Sequence, residues 1–499
     1  MHSKKLLKIL SLTTAAAMTL SIAACSAKTD NSKPETNEET TEEITNSNDS
    51  EHAIEADGET ISYSNIKVTK TGDSDEGDEA DFYGDNSAIF ATNGATLTLT
   101  DIVVDTDGMH ANAVFSYGDG TTVNISDSEI TTSGNCSGGL MTTGGGTMNA
   151  TNLTIHTTGN SSAAIRSDRG GGTVNVDGGS YTTDGTGSPV IYSTADITVS
   201  NAYMESTASQ GVVVEGKNSV TLNNVQMVAD NNTKNSSNSD YYQAVMIYQS
   251  MSGDADVGLS EFTMNGGTIT NANGDVFFVT NTATTISLEN VSITNQDDSG
   301  VFLRASTAGW GSSGSNGGKV NLNLTDMDLT GDILVDSISA MNMYLKSETS
   351  YSGAINNSNE GQVYIEIESG STWTLTGDSY VTSLTCDADA IDLNEYTLYV
   401  NGVAYEAGTA STGEALEIVN ESSSGRGGAP DGMPSDGMPG EPPSGDRPSG
   451  ERPSGERPSD GGSSGNPPSG ERPSGNQGDP PQGGPGGDGN EPPARPEDD

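Results

Sequence analysis

The chain has 499 residues, with 70 Asp or Glu against 20 Lys or Arg, a formal net charge of −50. That balance excludes nucleic acid and anionic membrane surfaces as partners, because both need a basic footprint. It leaves divalent cations and neutral or cation-bridged polymers as compatible ligands.

The N-terminus reads as a bacterial export signal. Lys4, Lys5 and Lys8 precede an apolar run over 9–24 that ends in small residues, too short and too early for a membrane span. Ile22-Ala23-Ala24-Cys25 resembles a lipobox, in which cleavage leaves a diacylated cysteine. Residues 1–24 are therefore expected to be a lipoprotein signal peptide and Cys25 the lipidated residue, holding the protein on the outer face of the cell membrane. Residues 25–57 carry Glu35, Glu38, Glu39, Glu42 and Glu43 and read as an acidic, disordered spacer.

From 58 to 410 the chain repeats. Short apolar tetrads recur with second positions Ile89, Val114, Leu140, Ile165, Ile191, Val214, Ile247, Phe278 and Leu303, in steps of 25, 26, 25, 26, 23, 33, 31 and 25 residues. Such a period marks a solenoid whose units bury their faces by stacking. Within each period, runs such as Val123-Asn124-Ile125 alternate apolar and polar residues, the period-two signal of half-buried strands. Asn93-Gly94, Asp119-Gly120 and Gly178-Gly179 supply turns between them. The fold predicted is all-β, a single right-handed parallel β-helix of about 25 residues per coil. Val363-Tyr364-Ile365, Trp373-Thr374-Leu375 and Leu398-Tyr399-Val400 keep the alternation without the tetrad, as a terminal cap would.

Strand neighbours alternate faces, so with the second tetrad column inside, the third should face solvent. It reads Phe90, Phe115, Met141, Arg166, Tyr192, Glu215, Tyr248, Val279 and Arg304. A row of aromatic and charged side chains suits a sugar polymer, with rings on C–H faces and charges on hydroxyls or carboxylates. Arg166, Tyr192, Glu215, Tyr248 and Arg304 are the ladder candidates. The long insertions over 73–85, 229–242, 250–260 and 306–318 flank the same strand, as binding loops of solenoids do. Trp310, in a Gly/Ser loop, and the pair Tyr241 and Tyr242 are the candidate platforms. Asp73, Asp75, Asp78 and Asp81 concentrate carboxylates as a calcium site would, without EF-hand spacing, and Asp254 with Asp256 is a second such place.

Cys136 and Cys386 lie many coils apart, so burial as small hydrophobes is expected rather than a disulfide. His110 and His156 stand alone in sequence. Residues 411–499 carry Pro-Ser-Gly-Glu-Arg units such as Pro448-Ser449-Gly450-Glu451-Arg452 and read as a disordered tail.

These coils resemble the pectate-lyase-like superfamily of β-helix proteins. With the lipobox, the acidic spacer and the tail sequence Asp431-Gly432-Met433-Pro434-Ser435, the chain more narrowly resembles surface lipoproteins of Gram-positive anaerobes with a carbohydrate-binding β-helix domain. The resemblance implies binding of an extracellular polysaccharide or a host or bacterial surface glycan, assisted by calcium, by a monomer. Gln296-Asp297-Asp298 looks like the paired aspartates of polygalacturonase-type hydrolases, but no Gly-His-Gly or Arg-x-Lys accompanies it. Arg166, Asp168 and Arg169 supply the residue types of pectate lyases without their surrounding pattern. No catalytic set is assigned. An adhesin with protein partners and a polysaccharide lyase or glycosidase stand as alternatives.

Overall fold

The structure, a computed structural model, describes residues 42–418. The expected signal peptide, the expected lipidation site Cys25 and the tail beyond 418 lie outside the described residues. The backbone of residues 42–418 forms a parallel β-helix. One sheet of 11 strands, from Ile54–Asp57 to Asp332–Val335, stacks one strand per coil. A second sheet of 19 strands contributes up to two strands per coil, such as Thr122–Ser126 and Glu129–Thr132. Where the chain bends between those two, Asp101, Asp127, Asn152, Asn201 and Asn224 occupy the left-handed region, with φ between 50° and 55°. Asn and Asp tolerate that conformation best after glycine, which explains why the corner is built from them. The predicted turns hold too, with Asn93 at φ 56° and Gly178 at φ 76°.

Inside runs one continuous core from Ile54 to Leu398, filled by Ile89, Val114, Leu140, Ile165 and Ile191 in successive coils. Burying each such side chain contributes about 1.5–3 kcal/mol, and only stacked neighbours supply the apolar contact. A third corner is tied by hydroxyls. Ser137, Ser162 and Ser188 donate from Oγ to the carbonyls of Gly108, Gly134 and Gly159 in the preceding coils, at 2.8, 3.0 and 2.8 Å. Coils pass so closely there that a Cβ on Gly159 would lie 1.9 Å from the Gly134 carbonyl oxygen.

The helix starts earlier than the sequence suggested. Glu42–Asn46 pairs in parallel with Ile66–Lys70, and Ile54–Asp57 with Ile89–Thr92. Ile54 and Ala56 keep the alternation and are buried, while Glu43 and Glu55 point outward; acidic residues on the wet face of a strand mimic a spacer. At the far end Leu398–Val400 pairs antiparallel with Val403–Ala404, closing the stack as expected of a cap. The chain then returns along the side, where the Leu416 N–H donates to Asn342 Oδ1 at 2.9 Å. Cys136 and Cys386 are free thiols.

Candidate functional site

The outward side of the 11-stranded sheet follows the register Arg166, Tyr192, Val213, Met246, Phe278, Arg304. Glu215 and Tyr248 point the same way, two residues further along their strands and directly paired with each other. Two expectations are corrected here. Val279 belongs to the inner core and Phe278 to the outer face, the reverse of the predicted columns. Nor is the column an exposed stripe: Glu215 is 1% exposed, Tyr248 9%, and Phe115, Met141 and Phe278 are fully covered. So many apolar groups on one outer face would be costly in water, and the insertions fold back over them.

That cover makes two small outer cores. Phe90, Phe115 and Met141 form one, next to the helix Asp78–Tyr83. Val213, Met246, Tyr248 and Phe278 form the other, with Tyr192 and Trp310 against it. Trp310 meets the Tyr248 ring edge-on at 5.1 Å, and Tyr241 lies over Phe278 at 5.6 Å. The two loops that carry them are joined by the Gly309 N–H donating to the Asn238 carbonyl at 2.6 Å.

Between these loops the face opens into a cleft of two chambers that share Gly187, Pro189, Tyr192, Asn235 and Tyr248. The first, of about 240 Å³, is lined by Tyr192, Tyr241, Tyr242, Tyr248 and Trp310, together with Asn231, Asn235 and Asn238. Lys234 is the one charged group among its lining residues, and it lies 3.7 Å from Asp240. The second, of about 280 Å³, is lined by Asp78, Phe82, Arg166, Asp168 and Asp254. Beyond Tyr241 the surface continues as a groove past Arg304. The predicted ligand residues are therefore brought together, except Glu215, which lies under the floor and lines neither chamber.

The charged groups are largely committed to each other. Arg166 bonds Asp81 at 3.1 Å and Asp168 at 2.9 Å. Burial pulls against its charge, but the two carboxylates prevail and hold its pKa above the ordinary value. Burial likewise pushes Asp81 upward, and Arg166 with His110 outweighs it, leaving that carboxyl below the usual range. At Asp168 burial prevails over Arg166 and raises the pKa. Arg169 spans Asp254 at 2.8 Å and lies 3.9 Å over the Phe82 ring. Arg304 pairs with the buried Asp275 at 2.6 Å and stacks 3.9 Å from the Tyr241 ring centre. Tyr192 and Tyr248 both donate to Glu215 Oε2. Burial raises all three of these groups above their ordinary pKa values.

The four aspartates of the expected calcium site do not converge. Asp73 accepts the Met109 N–H at 2.7 Å, Asp75 and Asp78 are exposed, and Asp81 is buried against Arg166. Asp256 pairs with Lys217 at 2.7 Å and Asp254 with Arg169. Among the described residues, the one group of three side chains close enough to share an ion is Asp81, His110 and Cys136. Sequence reading missed it, because those residues come from three different coils. The chain matches no protein-family model, no curated protein and no solved structure.

Proposed function

We propose that this chain binds a neutral extracellular polysaccharide, laid along the outer face of the 11-stranded sheet between Arg166 and Arg304. The observation that carries this reading is the convergence of Tyr192, Tyr241, Tyr242, Tyr248 and Trp310 on one chamber walled by asparagine amides. Aromatic faces take sugar C–H groups, and amides satisfy hydroxyls without demanding charge. Arg166 to Arg304 spans five coil steps, roughly 24 Å at the inter-strand spacing, room for several sugar units.

Neutrality follows from the electrostatics. Arg166, Arg169 and Arg304 are each neutralised by buried or partly buried carboxylates, and the chain carries −50 overall. A polyanion would gain no unpaired cation and would meet long-range repulsion. Calcium has no part in the reading, since the aspartates expected to hold it are dispersed. Catalysis has none either: Asp168, Glu215 and Asp254 are held by Arg166, the two phenols and Arg169. Anchoring through Cys25 completes the proposal, placing the cleft outside the cell; Cys25→Ser should release the protein from the membrane fraction.

Affinity electrophoresis tests the binding. The full chain should be retarded in gels containing some neutral polysaccharide, equally with and without chelator, and release no reducing sugar or unsaturated uronate. Retardation only by uronate polymers, or binding to surface proteins with none to any glycan, would overturn it.

A further inference from the structure

Asp81, His110 and Cys136 cluster at the helix Asp78–Tyr83 and line neither chamber of the cleft. His110 and Cys136 occupy the same position of the third corner in consecutive coils, with φ of 57° and 56°; the His110 N–H donates to Asn135 O and the Cys136 N–H to Asn160 O. Ser161 repeats the position in the next coil, at φ 55°, so the turn itself sets this conformation. Two side chains thereby leave the corner in parallel, one coil apart. The insertion brings Asp81 against them. One carboxylate oxygen of Asp81, one nitrogen of His110 and the Cys136 sulfur all lie within 4.8 Å of one another.

We propose that Asp81, His110 and Cys136 bind a divalent transition-metal ion of the zinc type. Imidazole nitrogen, thiolate sulfur and carboxylate oxygen are the donor set such an ion prefers, whereas calcium and magnesium take oxygen alone. Tetrahedral zinc places its ligand atoms roughly 3.3–3.7 Å apart, and Asp81 Oδ1 already lies 3.2 Å from His110 Nδ1. The two atoms are at ion-pair distance, but the approach is not aligned as a hydrogen bond, so Asp81 is the one group facing this nitrogen, on a side chain 6% exposed, and no aligned hydrogen bond satisfies it. An ion at this place satisfies it.

The surroundings accept the ion. Asp81 uses Oδ2 for Arg166, at 3.1 Å, so Oδ1 is the oxygen offered, at the expense of a 3.2 Å contact from Asn112. Arg166 keeps Asp168 as a second counter-charge at 2.9 Å. Thiolate and carboxylate together neutralise the ion. Binding releases the Cys136 thiol proton, and three protein ligands leave a tetrahedral ion one position for water.

Cobalt(II) is the probe. Titration of the reduced full chain should produce a thiolate-to-cobalt charge-transfer band that saturates at one equivalent and is abolished by added zinc. Cys136→Ser should remove the band, and His110→Gln should weaken binding at least tenfold. Should either variant fail to fold, alkylation of the parent decides: zinc should slow modification of Cys136 at least tenfold and leave Cys386 unchanged. No band at one equivalent, a band that survives in a folded Cys136→Ser chain, or no protection of Cys136 overturns the site.

Discussion

Tyr248 donates its phenolic hydrogen to Glu215 Oε2 at 3.0 Å, from the neighbouring coil and beneath the cleft floor. Burial nevertheless dominates and holds the Glu215 carboxyl above the usual range. The folded state thus binds this proton more tightly than the unfolded chain. Its ionisation begins to penalise folding as pH rises past the unfolded value of about 4.3, and the penalty is complete above the raised folded value. Glu215→Gln does not titrate and keeps an acceptor for the phenols. Its melting temperature relative to the parent should rise as pH increases from about 4 and level off once pH exceeds the raised folded value. A difference that is flat or falls with pH contradicts the burial of a raised carboxyl.

Arg166, expected from the sequence to face solvent as a ladder residue, sits instead in a buried ion-pair network. Its guanidinium joins Asp81 and Asp168, whose side chains are 3% and 8% exposed. Arg166→Ala leaves both carboxylates buried without it, which costs about 3–5 kcal/mol. Urea unfolding should show that loss, and a smaller one for Arg166→Lys. A change under about 1 kcal/mol, the range of surface ion pairs, would mean the network is open to water.

The hydroxyl-tied corner depends on glycine for close approach. Gly159→Ala puts a methyl group 1.9 Å from the Gly134 carbonyl, and nothing flexible can yield. The variant should lose about 3 kcal/mol or more. Gly94→Ala is the control: φ there is 78° with no atom within 4 Å of the new carbon, so only about 1–2 kcal/mol of backbone strain is expected. Equal losses in chemical denaturation would refute the close-contact argument.

How far the sequence could be read follows from the same residues. Through Ile191 the nearly equal steps of 25 and 26 residues place the inner and outer columns correctly, and the fold with them. The register slips at Val212-Val213-Val214, because Ile191 pairs with Val212 while the apparent repeat pointed to Val214. Phe277-Phe278-Val279 fails for a related reason. Both faces are buried there, and a continuous apolar run carries no parity. Exposure was misjudged because insertion length shows that a loop exists but not that it folds over the face. The loops were nonetheless placed on the right side, and Trp310, singled out by its Gly/Ser loop, and Tyr241 and Tyr242, at the end of another loop, all line the first chamber. Asp81, His110 and Cys136 left no local signal, since a corner column stacks residues a whole coil apart.

Trp310 separates structure from recognition. It is half-buried against Tyr248, so Trp310→Ala should cost about 1–2 kcal/mol of stability, below the 3–5 of a core tryptophan. Polysaccharide affinity should fall by more than tenfold, a lost stacking platform. The other tryptophan, Trp373, is fully buried and donates to Gly353 O at 3.0 Å. Sugar-induced change in tryptophan fluorescence should therefore vanish with Trp310 and survive Trp373→Phe. The opposite pattern would place the ligand elsewhere.

The most direct measurement is a glycan-array profile of the full chain beside its Tyr241→Ala/Trp310→Ala double variant. The cleft account predicts that the parent binds a set of related neutral glycans and that the folded double variant loses that set. A parent that binds no glycan, or a double variant with the parent's profile and affinity, would contradict it.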